Sequence, residues 1–442
     1  LLFAIGLFPL GFKRVNLHLD SSSDWAVMRF SRARIALCRG IKPDYPGLRC
    51  LPDALLLNQP PGRRASISLT LYLYDLPRRV EITTEKGDLG DLFLKFTAGG
   101  REVILENRLH GNTFNRKVFN LEIPARDVEA AGRYQLPPGV YSFYYPWYGN
   151  PRGPSGRWFH WDLCGHDPDR GDLASSHTPV LGAYDSRDPE VVARHIEWAV
   201  SAGLDGFILA CFGPSSPSWK GIRAFVDVAE TQGFRYALSF PFPDYPGEIS
   251  PLEGAEVIKG ALEEFYGPLY IRIEGKPVVF FYAAHQLPRG FWRVLFSELA
   301  RQGIEVFPVG NFLDPSYGDL FEALYFYLPL FFAGTELRME FFRWAMALGI
   351  LTGKPYFYPV FPGFDNRRAC GGRVYIPRRR GRTAEDLLGP ILALRPQWLL
   401  ASTFNEWHEG TEFEPSLQFG DFYLRILGLI SRQFKENEPI RR

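Results

Sequence analysis

Two carboxylates, an amide, an indole and an imidazole fall within the short run Asn405-Glu406-Trp407-His408-Glu409. The run follows Trp398-Leu399-Leu400-Ala401, which reads as an apolar strand, and it ends at Gly410. A strand that breaks into such a cluster is not building a core, because an unpaired buried charge is expensive. Neighbouring carboxylates can be driven to different pKa values, one holding a proton while the other is ionised. Glu406 and Glu409 would both face one way if the chain begins to turn after the strand. One could then protonate a leaving oxygen while the other acts as base or nucleophile, which is the equipment for cleaving a glycosidic bond. A capping or salt-bridged pair in a loop is the alternative.

Other residues could surround a sugar. Trp147, Trp158, Trp161 and Trp407 offer flat faces for stacking, or they fill space under a long loop. His160 and His408 could hydrogen-bond substrate or orient a carboxylate, or be satisfied structural groups. Tyr145, Tyr148, Tyr282, Tyr327, Asp365, Arg367 and Asn405 complete the candidate binding set. Cys164, His166, Asp167, Asp169 and Asp172 are dense in potential ligands, but the segment lacks the spacing and closing Glu of an EF-hand. It reads as a solvated loop, and no metal or cofactor is expected. The Arg378-Arg379-Arg380 run, with Arg382 beyond it, reads as a solvated face or loop cover before a patch for anionic sugars. Neither GxGxxG nor GxxxxGK[ST] occurs, so nucleotide chemistry has no support.

The elements that must hold these groups alternate in type. Apolar strands are predicted near 140–146, 205–211, 235–241, 277–283, 304–310, 322–328, 355–361 and 398–404. Helical patterns separate them at 189–202, 218–232, 255–265, 289–302, 335–351 and 383–394, with a last helix at about 421–435. Pro189 suits a first helical turn, and Gly203, Gly233 and Gly303 suit helix ends. Eight strands with intervening helices predict a (β/α)8 barrel over residues 137–442. Catalytic groups in that fold sit at the C-terminal strand ends. Those ends are polar and aromatic here: Tyr144 to Trp147, Asp244, Tyr282 and His285, Asn311, Tyr325 and Tyr327, Asp365 to Arg368, then Asn405 to Glu409. The excursion 147–188 after the first strand is long enough to suggest a functional loop.

Residues 1–136 have another texture. Alternation in Val15 to Leu19, Ser66 to Tyr74, Leu92 to Phe96 and Glu102 to Leu105, with turn signals between, predicts a β-sandwich-like domain. It would bind carbohydrate or simply pack against the barrel. Gln135 to Gly139 reads as the linker. The chain of 442 residues, 46% apolar, suits one barrel and one smaller domain, and a net charge of +1 gives no reason to invoke nucleic acid. No two of the five cysteines have CxxC spacing; Cys38 and Cys50 flank a loop that a disulfide could close. Leu1 to Phe12 is either the remnant of a signal or anchor or a buried first strand. That ambiguity slightly favours an extracytoplasmic or membrane-associated location.

Tyr144-Tyr145-Pro146-Trp147-Tyr148-Gly149-Asn150-Pro151, His160-Trp161, Pro362-Gly363-Phe364-Asp365 and Phe404-Asn405-Glu406-Trp407-His408-Glu409-Gly410-Thr411 occur in the order found in glycoside hydrolase family 99. Residues 140–436 resemble that family of endo-α-mannosidases and endo-α-1,2-mannanases. The resemblance implies metal-independent, retaining, endo-acting cleavage of a mannose-containing glycan. By the motif, Glu409 takes the acid/base role and Glu406 deprotonates the sugar 2-hydroxyl, which attacks the anomeric carbon to give a 1,2-anhydro sugar. WbsX-like proteins of polysaccharide assembly share the Asn-Glu-Trp pattern but tend to carry a small residue where His408 stands. They and a non-catalytic glycan-binding protein are the alternatives. The first 136 residues have no counterpart in the family core.

Overall fold

The computed structural model describes residues 13–436 except 24, 32–33, 40–47, 51–53, 61–62, 75–78, 88–89, 99–100, 109–114, 123–135, 246, 312–314, 328–353 and 395. The chain forms two compact units, Leu1–Ala131 and Gly132–Arg442. The expected strand or anchor at 1–12 and the helix at 335–351 lie outside the described residues, as do the side chains of Cys38 and Cys50.

The N-terminal unit is two antiparallel five-stranded sheets. The first runs in the order Arg34–Arg39, Ala65–Tyr74, Lys13–Ser21, Leu92–Ala98, Arg101–Asn107. The second runs Asn115–Glu122, Arg79–Lys86, Trp25–Ser31, Ala54–Asn58, Leu48–Cys50. Period-two alternation turns one face of each sheet inward. Leu17, Leu19, Ile67, Leu94 and Phe96 of the first sheet share a core with Met28, Phe30, Leu55, Leu57 and Ile82 of the second. That shared core makes the unit sandwich-like.

The second unit is a closed barrel of eight parallel strands: Gly139–Tyr144, Gly206–Ala210, Arg235–Phe240, Lys276–Phe281, Phe307–Asn311, Ala323–Tyr325, Tyr356–Val360 and Trp398–Ala401. The first strand pairs with the eighth, Gly139 opposite Trp398, which closes the ring. Every expected barrel strand is present, within a few residues at its ends. Capping explains the helix starts. Asp188 accepts from the backbone of Glu190 ahead of Pro189–Ser201, Ser216 caps Pro217–Gln232, and Ser250 with Glu253 makes a reciprocal capping box for Pro251–Phe265. Helices Arg289–Arg301, Arg382–Leu394 and Phe422–Glu436 follow later strands.

Alternation within the first strand decides what reaches the mouth. Phe143 points inward and meets Phe280 and Tyr325 with ring centroids 5.9 and 5.5 Å away. Tyr144 points outward onto Phe207 and Phe225 beneath the helices. Tyr145 therefore returns to the inner side, at the mouth. The helix Pro217–Gln232 packs close enough that a Cβ at Gly221 would lie 1.9 Å from the Pro146 carbonyl oxygen. Only glycine permits that approach, and it fixes the end of the first strand against the helix.

Candidate active site

The eighth strand leads into a loop that closes on itself. Thr403 N–H donates to the Thr411 carbonyl at 3.0 Å, and Phe413 N–H donates to the Thr403 carbonyl at 3.0 Å. The Thr403 hydroxyl accepts from Glu406 N–H at 2.8 Å. Gly410 completes the turn at φ 59°, with Asp365 against it so closely that a side chain would collide. The loop is pinned to the first strand by Asn405. Its Oδ1 accepts from Tyr145 N–H at 2.7 Å and its amide donates to the Tyr145 carbonyl at 3.1 Å. Both glutamates are thereby carried on a braced turn.

Glu406, His408 and Glu409 line a cavity of about 360 Å³ at the barrel mouth, with Tyr145, Trp147, His160, Tyr282, Tyr327, Asp244 and Phe212 among its walls. Glu406 is nearly fully enclosed, at 3% exposed. Its Oε1 accepts from the backbone N–H of His408 at 3.1 Å and faces His408 Nδ1 at 3.0 Å. His408 Nε2 donates to the His160 carbonyl at 2.8 Å, which sets the imidazole's orientation. Burial opposes charge on His408, but the hydrogen bond to Glu406, its carboxyl charge and the His160 carbonyl together outweigh burial and raise its pKa. Glu406 Oε2 is buried without a hydrogen-bond partner.

Glu409 has a different environment. Loss of solvent, then the charge of Glu406, push its carboxyl up to about 8. The Tyr327 hydroxyl, which donates to Glu409 Oε2 at 3.4 Å, works in the opposite direction. Tyr327 in turn meets the Tyr145 hydroxyl at 2.5 Å. At neutral pH Glu409 holds a proton, with an apolar and aromatic wall around it.

The other expected contacts divide. Tyr145, Trp147, His160, Tyr282, Tyr327 and His408 all line the cavity. Trp147 and His160 are stacked on one another, centroids 4.3 Å apart, so part of the Trp147 face is already covered. Burial pushes the His160 imidazole down to about 3, so it is neutral. Trp161, Trp407, Asn405 and Tyr148 do not reach the cavity. Trp161 and Trp407 are completely buried with Tyr148 and Tyr184 in the packing of the long first loop, and they serve as filler, not as sugar platforms. Asp365 and Arg367 form a bidentate ion pair outside the cavity, with Arg367 stacked over Tyr375. Asn311 and Tyr325 are buried below the mouth.

Residues noted beyond the site find partners too. Cys164, weighed as a possible ligand, is disulfide-bonded to Cys370, tying the first loop to the loop after the seventh strand. His166 and Asp172 bond to each other and to Arg368. Arg378 departs from the solvated face expected for its run, whereas Arg379, Arg380 and Arg382 are exposed. Arg378 is buried against Glu412 and stacks over Tyr423 at 4.5 Å. Among the lining residues that sequence reasoning left out are Phe212 and Asp244. The position of Asp244 at the end of the third strand was the available signal.

Residues 136–313 match the family model "Glycosyl hydrolase family 99", a stretch that ends before the two glutamates. The mouse glycoprotein endo-alpha-1,2-mannosidase-like protein is 27% identical over 63% of this chain and 69% of its own length. The Xenopus laevis glycoprotein endo-alpha-1,2-mannosidase is 25% identical over 71% of this chain and 78% of its own. The solved GH99 endo-alpha-mannosidase from Bacteroides thetaiotaomicron superposes with a TM-score of 0.59, at 23% identity, on 69% of this chain and 100% of that chain. The family model, over part of the barrel, and the curated relatives agree: the C-terminal unit of this chain is similar to glycoside hydrolase family 99, and the solved structure shares its barrel fold.

Proposed function

We propose that the barrel cleaves an α-linked, manno-configured oligo- or polysaccharide within the chain, with retention of configuration, Glu409 serving as acid/base and Glu406 as the base for the 2-hydroxyl. A family 99 barrel is a glycosidase, and the endo-α-mannosidase names of the relatives motivate the substrate class. The single observation that carries the division of labour is the contrast between the two carboxyls. Glu409 is held protonated up to about pH 8, whereas Glu406 has one oxygen anchored by His408 and the other buried and unmet. A protonated carboxyl is what a departing glycosidic oxygen needs, and an unmet acceptor is what a sugar hydroxyl needs.

In the first step the Glu409 proton passes to the leaving oxygen as its bond to the anomeric carbon breaks. Glu406 takes the proton of the 2-hydroxyl, and O2 closes on the anomeric carbon. In the second step the Glu409 carboxylate takes a proton from water. The water oxygen attacks the anomeric carbon, the bond from that carbon to O2 opens, and O2 recovers its proton from Glu406. Two inversions at one carbon give net retention. His408 keeps Glu406 oriented throughout, because its Nδ1 and backbone N–H hold the same carboxyl oxygen.

The test is digestion of a panel of α-manno- and α-gluco-oligosaccharides by the wild-type protein and Glu409→Gln, with products sized by mass spectrometry. Cleavage of internal α-mannosidic bonds by wild type alone is expected. A panel left intact by wild type, or cut equally by Glu409→Gln, overturns the reading.

A further inference from the structure

The cavity carries a third carboxylate that the proposed chemistry does not use. Asp244 lies in the short turn Phe242–Asp244 that follows the third barrel strand, and it lines the cavity together with Glu406, Glu409 and Tyr282. Its side chain has no hydrogen-bond or ion-pair partner among the described residues, whereas Asp365 at the same end of the barrel is held bidentate by Arg367. Asp244 is open at the cavity rim, yet the walls remove enough water to raise its carboxyl above the usual range. Its charge is felt by both Glu409 and Tyr282, which places it on the Glu409 side of the cavity.

No Lys or Arg stands among the described lining residues. Of the two histidines there, His160 is neutral and His408 is committed to Glu406 and the His160 carbonyl. The cavity therefore holds three carboxyls without a free counter-charge. Buried polar atoms are almost always partnered, and the three left unmet on lining residues, Glu406 Oε2, His160 Nδ1 and Trp147 Nε1, indicate independently that a polar ligand completes the cavity. A carboxylate with both oxygens open accepts hydrogen bonds from adjacent hydroxyls, and each is stronger where water is thinned. The same group repels phosphate, sulfate or uronate, and repulsion is an effective route to specificity.

We propose that Asp244 is a specificity-determining substrate contact, which anchors adjacent hydroxyls of a neutral sugar beside Glu409 and excludes glycans carrying an anionic group at that place. This inference rests on the glycosidase reading of the cavity. Asp244 acts on binding and selection and leaves the proton transfers to Glu406 and Glu409.

The experiment compares wild type, Asp244→Asn and Asp244→Ala on a neutral α-manno-oligosaccharide and on the same oligosaccharide bearing one phosphate monoester. Binding is measured in parallel by calorimetry in a Glu409→Gln background. For the neutral sugar, a rise in KM of about 10- to 100-fold with kcat nearly kept is expected, the effect of losing charged hydrogen bonds. The preference for neutral over phosphorylated sugar should shrink in the same variants. Removing the charge should also move the alkaline limb of the rate profile to lower pH, a change that a merely structural aspartate would not cause. Unchanged KM and unchanged discrimination in both variants overturn the proposal. Failure of the Glu409→Gln protein to bind the neutral sugar overturns it together with the glycan reading of the cavity. Binding without turnover in wild type strikes only the catalytic roles.

Discussion

Glu406 with His408 and Glu414 with His195 are both carboxyl–imidazole pairs, and both carboxyls come from the loop after the eighth strand. Their hydrogen bonds are completed differently. Glu414 Oε1 meets His195 Nε2 at 3.1 Å, and its Oε2 accepts from the Tyr184 hydroxyl at 2.9 Å and from Trp407 Nε1 at 3.1 Å. His195 Nδ1 meets the Tyr144 hydroxyl at 2.9 Å. Every polar atom of that pair is met inside the protein, and neither side chain touches solvent. Glu406 keeps one oxygen unmet on a cavity wall. A closed network rigidifies, whereas an open one stores a binding capacity that substrate can satisfy. The deeper pair braces the turn, through Trp407 and Tyr184, on which the shallower pair is presented.

Substitution separates the two. Glu409→Gln should lower kcat by about 10²- to 10⁴-fold, the usual worth of a positioned acid/base, while melting at an unchanged or higher temperature. Glu406→Gln should match it in rate loss; full turnover in that variant would sink 2-hydroxyl participation. Glu414→Ala should instead cost stability, about 3–5 kcal/mol, because it strands His195, Tyr184 and Trp407 without a partner in the interior. Denaturant unfolding reads this directly, and a fully stable Glu414→Ala protein would erase the distinction between the pairs. His408→Asn should cost about 10-fold in kcat, since one amide replaces an imidazole that bridges Glu406 and the His160 carbonyl.

The smallest effect is a shift in pH dependence. Glu409 must be protonated to act as acid, so the rate should fall as pH rises through about 8. Tyr327→Phe removes a hydrogen bond that favours the ionised carboxyl. The Glu409 pKa should then rise and the alkaline limb move to higher pH, opposite in sign to Asp244→Asn. Stability has its own sign. A carboxyl whose folded pKa lies above its unfolded value keeps its full contribution below the unfolded value and loses it as pH rises toward 8. Glu409→Gln should remove that part of the pH dependence of unfolding.

Much of the architecture was legible in residue order. Strand and helix periods alternate clearly in the second unit, and strict period-two patterns in Val15 to Leu19 and Ser66 to Tyr74 signalled sheets in the first. Position at a strand end brought Tyr145, Tyr282, Tyr327 and both motif glutamates to one cavity. What the linear pattern could not resolve was direction. Trp161 and Trp407 look identical in sequence to Trp147, but a loop folded over the mouth buries two and leaves the third on the wall. Cys164 and Cys370 are 206 residues apart, and no local signal links them. Arg378, part of a basic run on paper, is drawn inward by Glu412 and Tyr423.

The sequence by itself determined the barrel, the sandwich-like unit and the chemical inventory of the loop at 402–414, because local periodicity and residue type are properties of neighbours along the chain. Only the tertiary structure decided which glutamate of that loop meets the cavity, which is sealed beneath it, and which oxygen is left unmet. Those outcomes depend on burial and on partners such as His195, His177 and Arg378, contributed by distant segments. A carboxyl's solvation and pKa are set by what surrounds it in space, which the neighbours along the chain do not specify.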